Sequence, residues 1–170
     1  MAVAVGAVGR AQDASAIENK GPTWAAMLAL VRERFPQVSQ LSTAELAAWR
    51  NDAARPQPVL LDAREPAEFA VSRLPGAVRV APDTTAKAIL ARIEPGRPVV
   101  VYCSVGYRSS RLAARLTEGG RRDVHNLEGS IFAWANEGRP LVAGDEQSAK
   151  QVHPFDAGFG KLLKPELRAP

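Results

Sequence analysis

The sequence predicts an α/β fold in which a small central, mostly parallel sheet is flanked by helices on both faces. Three observations predict it. Two short runs, Val59-Leu60-Leu61 and Val99-Val100-Val101-Tyr102, are apolar without alternation, as strands covered on both faces are. Segments with helical spacing of apolar residues separate the strand-like runs, and strands alternating with helices build parallel crossover units. A chain of 170 residues holds one ordinary domain core, not two.

In chain order, residues 1–21 read as an irregular lead ending at Gly21-Pro22. Trp24, Met27, Leu28, Val31 and Phe35 then recur at helical spacing until Pro36, which predicts an amphipathic helix whose aromatics are core contacts. Val38 to Leu41 reads as an edge strand. Ser42 followed by Glu45 is a capping box, opening a helix with Leu46 and Trp49 on its inner side. Pro56 and Pro58 bracket a turn before the Val59–Leu61 strand. Pro75-Gly76 signals another turn, with a short strand from Ala77 to Val80 after it. Ala86, Ile89, Leu90 and Ile93 form a helix face closed by Pro95-Gly96. The Val99–Tyr102 strand leads to a helix from Ser109 to Glu118, stopped by Gly119-Gly120. Val124 to Leu127 is a further strand and Ile131 to Asn136 a last short helix. The expected layout is a lead over residues 1–21, one domain over 22–143, and a tail over 144–170 packed on or wrapping that domain.

With 46% hydrophobic and 24% charged residues, the composition is that of a soluble globular protein rather than a disordered one. No stretch approaches the roughly 20 apolar residues of a membrane-spanning helix, so no membrane partner is expected. A single cysteine, Cys103, excludes an internal disulfide, and with only His125 and His153 beside it a structural zinc site is not expected. No other cofactor is called for. The start MAVAVGAVGR lacks a basic n-region and reaches Arg10 too soon for a signal peptide. With an unpaired cysteine, this points to the cytoplasm. The 22 basic and 18 acidic residues leave +4 overall. A nucleic-acid groove would want a broader basic face with aromatics interleaved, so no nucleic-acid partner is expected. The local excess of Arg108, Arg111, Arg115, Arg121 and Arg122 over Glu118 suits a small anion or an acidic partner instead. The stripe Arg108, Arg111, Arg115 reads as a solvated face.

Ligands of open α/β sheets bind beyond the carboxyl ends of the strands. Cys103 stands there, opening the segment Cys103-Ser104-Val105-Gly106-Tyr107-Arg108-Ser109 between a strand and a helix. A short loop feeding a helix N-terminus aims several backbone N–H groups into one hollow, where an anion is favoured. A thiol in that hollow loses its proton more easily. Gly106 permits a backbone conformation closed to other residues, and Arg108 adds a permanent charge with a planar donor fork. The alternative is that Cys103 is merely a small buried hydrophobe; the glycine, the arginine and the helix start around it weigh against that. His125 reads as a structural histidine and His153 lies in the tail, so a Cys–His mechanism has little support.

The run Leu60-Leu61-Asp62-Ala63-Arg64-Glu65-Pro66-Ala67-Glu68-Phe69, followed by Leu74-Pro75-Gly76-Ala77, resembles the signature of rhodanese domains. Val99 to Cys103, with Gly106, Arg108 and Ser109, resembles that family's active-site strand and loop, and Leu127-Glu128-Gly129-Ser130 with Trp134 its closing motif. The likeness spans about residues 38–142 and implies a single-domain rhodanese-like fold. It departs at Ser72-Arg73, where Gly-His is common, and at Ser130, where Gly is usual. The resemblance implies a sulfurtransferase that moves a sulfane sulfur through a persulfide on Cys103. The donor would be thiosulfate or a persulfide, and the acceptor cyanide, a thiol or a protein sulfur acceptor. The amides of Ser104, Val105, Gly106, Tyr107 and Arg108 would cradle the outer sulfur. Arg108 would attract an anionic donor and steady the loop, while Val105 and Tyr107 would line the mouth or merely pack there. Asp62, Arg64 and Glu68 would be structural. Two other readings stand beside it: a non-catalytic partner-binding module, which resembles members that have lost the cysteine, and a cysteine phosphatase. Related phosphatases use a longer loop; here four residues, Ser104 to Tyr107, separate Cys103 from Arg108, which favours sulfur.

Overall fold

Val99–Tyr102 (β4), an unbroken run of β-branched and aromatic residues, takes the middle of the sheet, every residue fully buried. The computed structural model describes residues 21–170. Ser39–Leu41 (β1), Val59–Asp62 (β2), Val78–Arg79 (β3) and Val124–Leu127 (β5) complete a five-stranded parallel sheet in the order β1-β5-β4-β2-β3. The expected lead lies outside the described residues except for Gly21.

Among the described residues, six helices cover the sheet: Trp24–Arg34 (α1), Thr43–Asn51 (α2), Pro66–Val71 (α3), Ala86–Leu90 (α4), Tyr107–Glu118 (α5) and Ser130–Asn136 (α6). The alternation of side chains along β4 divides the core. Val99, Val101 and Cys103 pack with Leu61, Ile89, Leu112 and Leu116 on the α4–α5 side. Val100 and Tyr102 pack with Leu46, Trp49, Ile131 and Phe132 on the α2–α6 side. Helices on both faces therefore hold, as the unbroken apolar strands require. The capping box opens α2 as expected: Glu45 N donates to Ser42 Oγ at 3.2 Å and Ser42 N donates to Glu45 Oε2 at 2.8 Å.

Several elements differ from the sequence expectation. Helix α3 carries no readable signal in the sequence: at six residues, with Pro66 in its first turn, it is too short to show a period. Helix α5 begins at Tyr107, two residues before Ser109, because Gly106 at φ 110° turns the loop straight into the helix. Strand β1 starts at Ser39 rather than Val38, β3 is confined to Val78–Arg79, and Ile93 lies beyond the end of α4 while still packing in its cluster. Leu141–Ala143 (β6) and Gln147–Ala149 (β7) form an antiparallel hairpin across the expected domain–tail boundary. β7 reads Gln-Ser-Ala and carries no apolar signal. Arg73, at one of the departures from the family pattern, anchors this hairpin by donating to Gly144 O at 2.5 Å and Glu146 Oε1 at 2.9 Å.

The remaining C-terminal segment packs against the α2–α6 side, burying Val152, Leu162 and Leu163. Asn136 fastens it, its Nδ2 donating to Leu162 O at 2.7 Å and its Oδ1 accepting from Lys164 N at 2.9 Å. At the carboxyl end of β2, Asp62 and Arg64 form a fully buried ion pair of 2.6 Å, and Arg64 Nη2 also donates to Ser72 O at 2.6 Å. This pair ties the strand end to the chain leaving α3, the structural role that the sequence suggests for both residues.

Candidate active site

The connections after β2 and β4 leave in opposite directions, α3 toward β3 and α5 toward β5, so a crevice opens between these neighbouring strand ends. Cys103 stands in it, 1% exposed. The loop after it is pinned from behind by α6: Ile131 N donates to Cys103 O at 3.2 Å and Phe132 N to Ser104 O at 3.1 Å. Ser130, the second departure, takes φ 51°, the left-handed conformation that a glycine would adopt more easily. Its hydroxyl accepts from Cys103 N at 3.1 Å and donates to Leu127 O at 3.0 Å. The serine thus adds a clamp on the cysteine's backbone that glycine lacks.

Gly106 N donates to Cys103 Sγ at 3.2 Å, and the N-terminus of the 12-residue α5 starts at the next residue. A side chain on Gly106 would be strained at φ 110° and would meet Asn126 Nδ2 at 3.4 Å. Ser109 Oγ lies 3.4 Å from Sγ and 2.5 Å from Asn126 Oδ1. Its one proton can go to either acceptor, and a thiolate competes for it better than a thiol does. Burial pushes the Cys103 thiol up, but the Arg108 charge, the Ser109 hydroxyl and amide and the Gly106 amide together outweigh it, and the net shift is downward. Alkylation of Cys103 followed against pH is expected to reach half its limiting rate below the roughly 8.5 of a free thiol. Arg108→Ala should move that midpoint upward.

Arg108 itself is not open to solution as a free charge. Its Nη1 and Nη2 each donate to Glu68 at 2.7 Å, and Nη2 donates to Ser104 Oγ at 2.9 Å; Ser104 Oγ in turn donates to Glu68 Oε1 at 2.9 Å. Glu68 comes from α3, the helix the sequence did not reveal, and braces the loop through Arg108 and Ser104 without itself lining the cavity over Cys103. Burial pushes its carboxyl up, but the Arg108 fork, the Glu65 amide and Ser104 overcome that and hold it at about 2. The pair carries no net charge. Arg115, placed on the solvated stripe by the sequence, instead donates to Pro82 O at 3.2 Å and Thr84 O at 2.6 Å. His125 is indeed structural: Nδ1 lies 2.8 Å from Ser39 Oγ and Nε2 2.8 Å from Asp123 Oδ1.

A cavity of about 280 Å³ opens over Cys103. Val105 and Tyr107 line it, together with Met27 and Leu30 of α1 and Phe155 and Phe159 of the C-terminal segment. The sequence does not mark these last four as site residues, because no local pattern says that two distant segments meet over one loop. Among the described residues, no group of three or more His, Cys, Asp or Glu side chains could hold a metal ion. No helix among them is long and apolar enough to cross a membrane.

The model of the rhodanese-like domain matches residues 42–137, more than half of the chain. The chain belongs to the rhodanese-like domain family. A sulfurtransferase of Allochromatium vinosum is 40% identical over 85 residues, half of this chain and 78% of that protein. A probable adenylyltransferase/sulfurtransferase of Mycobacterium tuberculosis, MoeZ, is 29% identical over 103 residues, 60% of this chain but only 26% of that longer protein. Among solved structures, a rhodanese-like domain protein from Staphylococcus aureus superposes with a TM-score of 0.54 at 26% identity, covering 64% of this chain and all of its own. Cys103, Glu68 and Arg108 lie inside the rhodanese-like segment. Met27, Leu30, Phe155 and Phe159 lie outside it.

Proposed function

We propose that this rhodanese-like protein is a sulfurtransferase that carries a sulfane sulfur as a persulfide on Cys103. The observation that carries the reading is the environment of the thiol: enclosed, beside the α5 N-terminus, within reach of the Gly106 amide, its proton loosened despite burial. The named relatives that are sulfurtransferases support it. In the first step the Cys103 thiolate attacks the outer sulfur of thiosulfate or of a persulfide donor. A bond forms between Sγ and that sulfur, and sulfite or the donor thiolate leaves with the electron pair of the broken S–S bond. In the second step an acceptor thiolate or cyanide attacks the outer sulfur, and the electron pair of the Sγ–S bond returns to Cys103. Electrons balance without an outside oxidant. The loop amides from Ser104 to Arg108 steady the added sulfur, and the Glu68–Arg108 pair fixes the loop that presents them.

The test supplies thiosulfate and an organic persulfide in turn, with cyanide as acceptor, and measures thiocyanate. Thiocyanate should form with at least one donor, while aryl phosphates release no phosphate above background. Phosphate release that depends on Cys103, without thiocyanate, would replace this reading with a phosphatase.

A further inference from the structure

Three large hydrophobic side chains are exposed among the described residues, and two of them, Leu30 at 46% and Phe155 at 44%, stand on the rim of the cavity over Cys103. Phe155 holds φ 67°, a conformation that bulky residues rarely adopt. The segment around it is built to keep it there. Phe155 N donates to His153 Nδ1 at 3.0 Å, Phe159 N donates to Asp156 Oδ1 at 2.8 Å, and Gly160 lies so close to Pro154 that a Cβ would come within 2.9 Å of it. The Phe155 ring covers the Arg108 guanidinium at 4.8 Å and meets Phe159 edge-on at 5.6 Å. Arg108 is the one charged residue among those that line the cavity, and Glu68 neutralises it. A small, strongly hydrated acceptor entering this mouth exchanges water for apolar walls without a free counter-charge. An apolar arm gains instead.

We propose that Met27, Leu30, Phe155 and Phe159 form an acceptor subsite for small organic thiols that carry an alkyl or aryl arm. This rests on the persulfide reading above. The arm lies between α1 and the C-terminal aromatics while its sulfur meets the outer sulfur on Cys103. The acceptor thiolate bonds that sulfur, the Sγ–S bond breaks with its electron pair returning to Cys103, and the acceptor leaves as an organic persulfide. The cavity, at about 280 Å³, is near the lower end of small-ligand pockets and holds one ring or a short chain.

The test loads Cys103 with sulfur, removes the donor, and follows discharge by intact mass with alkane thiols of matched pKa and increasing length. Each rate is divided by that of cyanide with the same variant. The expected result is a rise of about fourfold per added methylene until the cavity is filled. Leu30→Ser and Phe155→Asn, the latter chosen because asparagine tolerates the left-handed backbone, should flatten the rise. Phe155→Leu should keep most of it. A flat series in the native protein, or an unchanged slope in both polar variants, would overturn the subsite while leaving sulfur transfer standing. A flat series with fast discharge by a cysteine peptide flanked by apolar residues would overturn it in favour of a docked peptide. Failure to load any sulfur would overturn both readings.

Discussion

Cys103→Ser is expected to fold like the native chain and to lose sulfur transfer by at least about a thousandfold in kcat/KM, the scale of removing a covalent nucleophile. The fold survives because serine is close in volume, and the Gly106 amide and Ser109 hydroxyl that now face Sγ can hydrogen-bond an alcohol oxygen. The cost of a hydroxyl beside Val101 and Leu112 should stay near 1 kcal/mol, since those partners satisfy it. Transfer is lost because an alcohol neither ionises at neutral pH nor carries a sulfane sulfur. Thiocyanate formation and a thermal melt on the same preparation separate the two effects. A variant with native stability and native turnover would remove Cys103 from the mechanism.

Glu68→Gln is expected to cost both stability and activity. The native carboxylate is 3% exposed and accepts from Arg108, Ser104 and the Glu65 amide. Neutralising it leaves the Arg108 charge without its partner. Breaking a buried pair costs roughly 3–5 kcal/mol; with Arg108 23% exposed, a loss of about 2–3 kcal/mol is expected. Because the same pair fixes the loop, transfer should fall at least about tenfold. The pH dependence has a definite sign. The folded carboxyl titrates at about 2, below its ordinary 4.5. Its contribution is therefore complete above pH 4.5 and is lost as the pH falls toward 2. Urea unfolding of the native protein across that window should show a decline of about 2 kcal/mol beyond that of Glu68→Gln, once solvent screening is allowed for. Parallel acid profiles for the two proteins would mean that Glu68 is not paired in solution.

What the sequence displays of this site is what lies within one connection. The uninterrupted Val99–Tyr102 run, the cysteine after it, Gly106 and the helix start are neighbours along the chain, so a strand end, a tight loop and a helix dipole can be read together. The Glu68–Arg108 pair spans 40 residues, and α3 is too short to declare which way Glu68 points. Arg108 therefore looks like a free cation until its partner is placed beside it. The apolar mouth is less legible still: Leu30 reads as one more helical residue and Phe155 as part of a tail, and only tertiary packing brings both over Cys103. Ser130 lies between these cases. Its departure from glycine is visible in the sequence, but the bond from the Cys103 amide to its hydroxyl is a property of the folded loop.

The central claim is that Cys103 carries the transferred sulfur, and intact mass followed by peptide mapping tests it most directly. After incubation with thiosulfate or a persulfide donor, the protein should gain the mass of one sulfur atom, confined to the peptide that contains Cys103. Cyanide or a thiol should remove it and restore the starting mass. No gain with any donor, or a gain that persists in Cys103→Ser, would contradict the account.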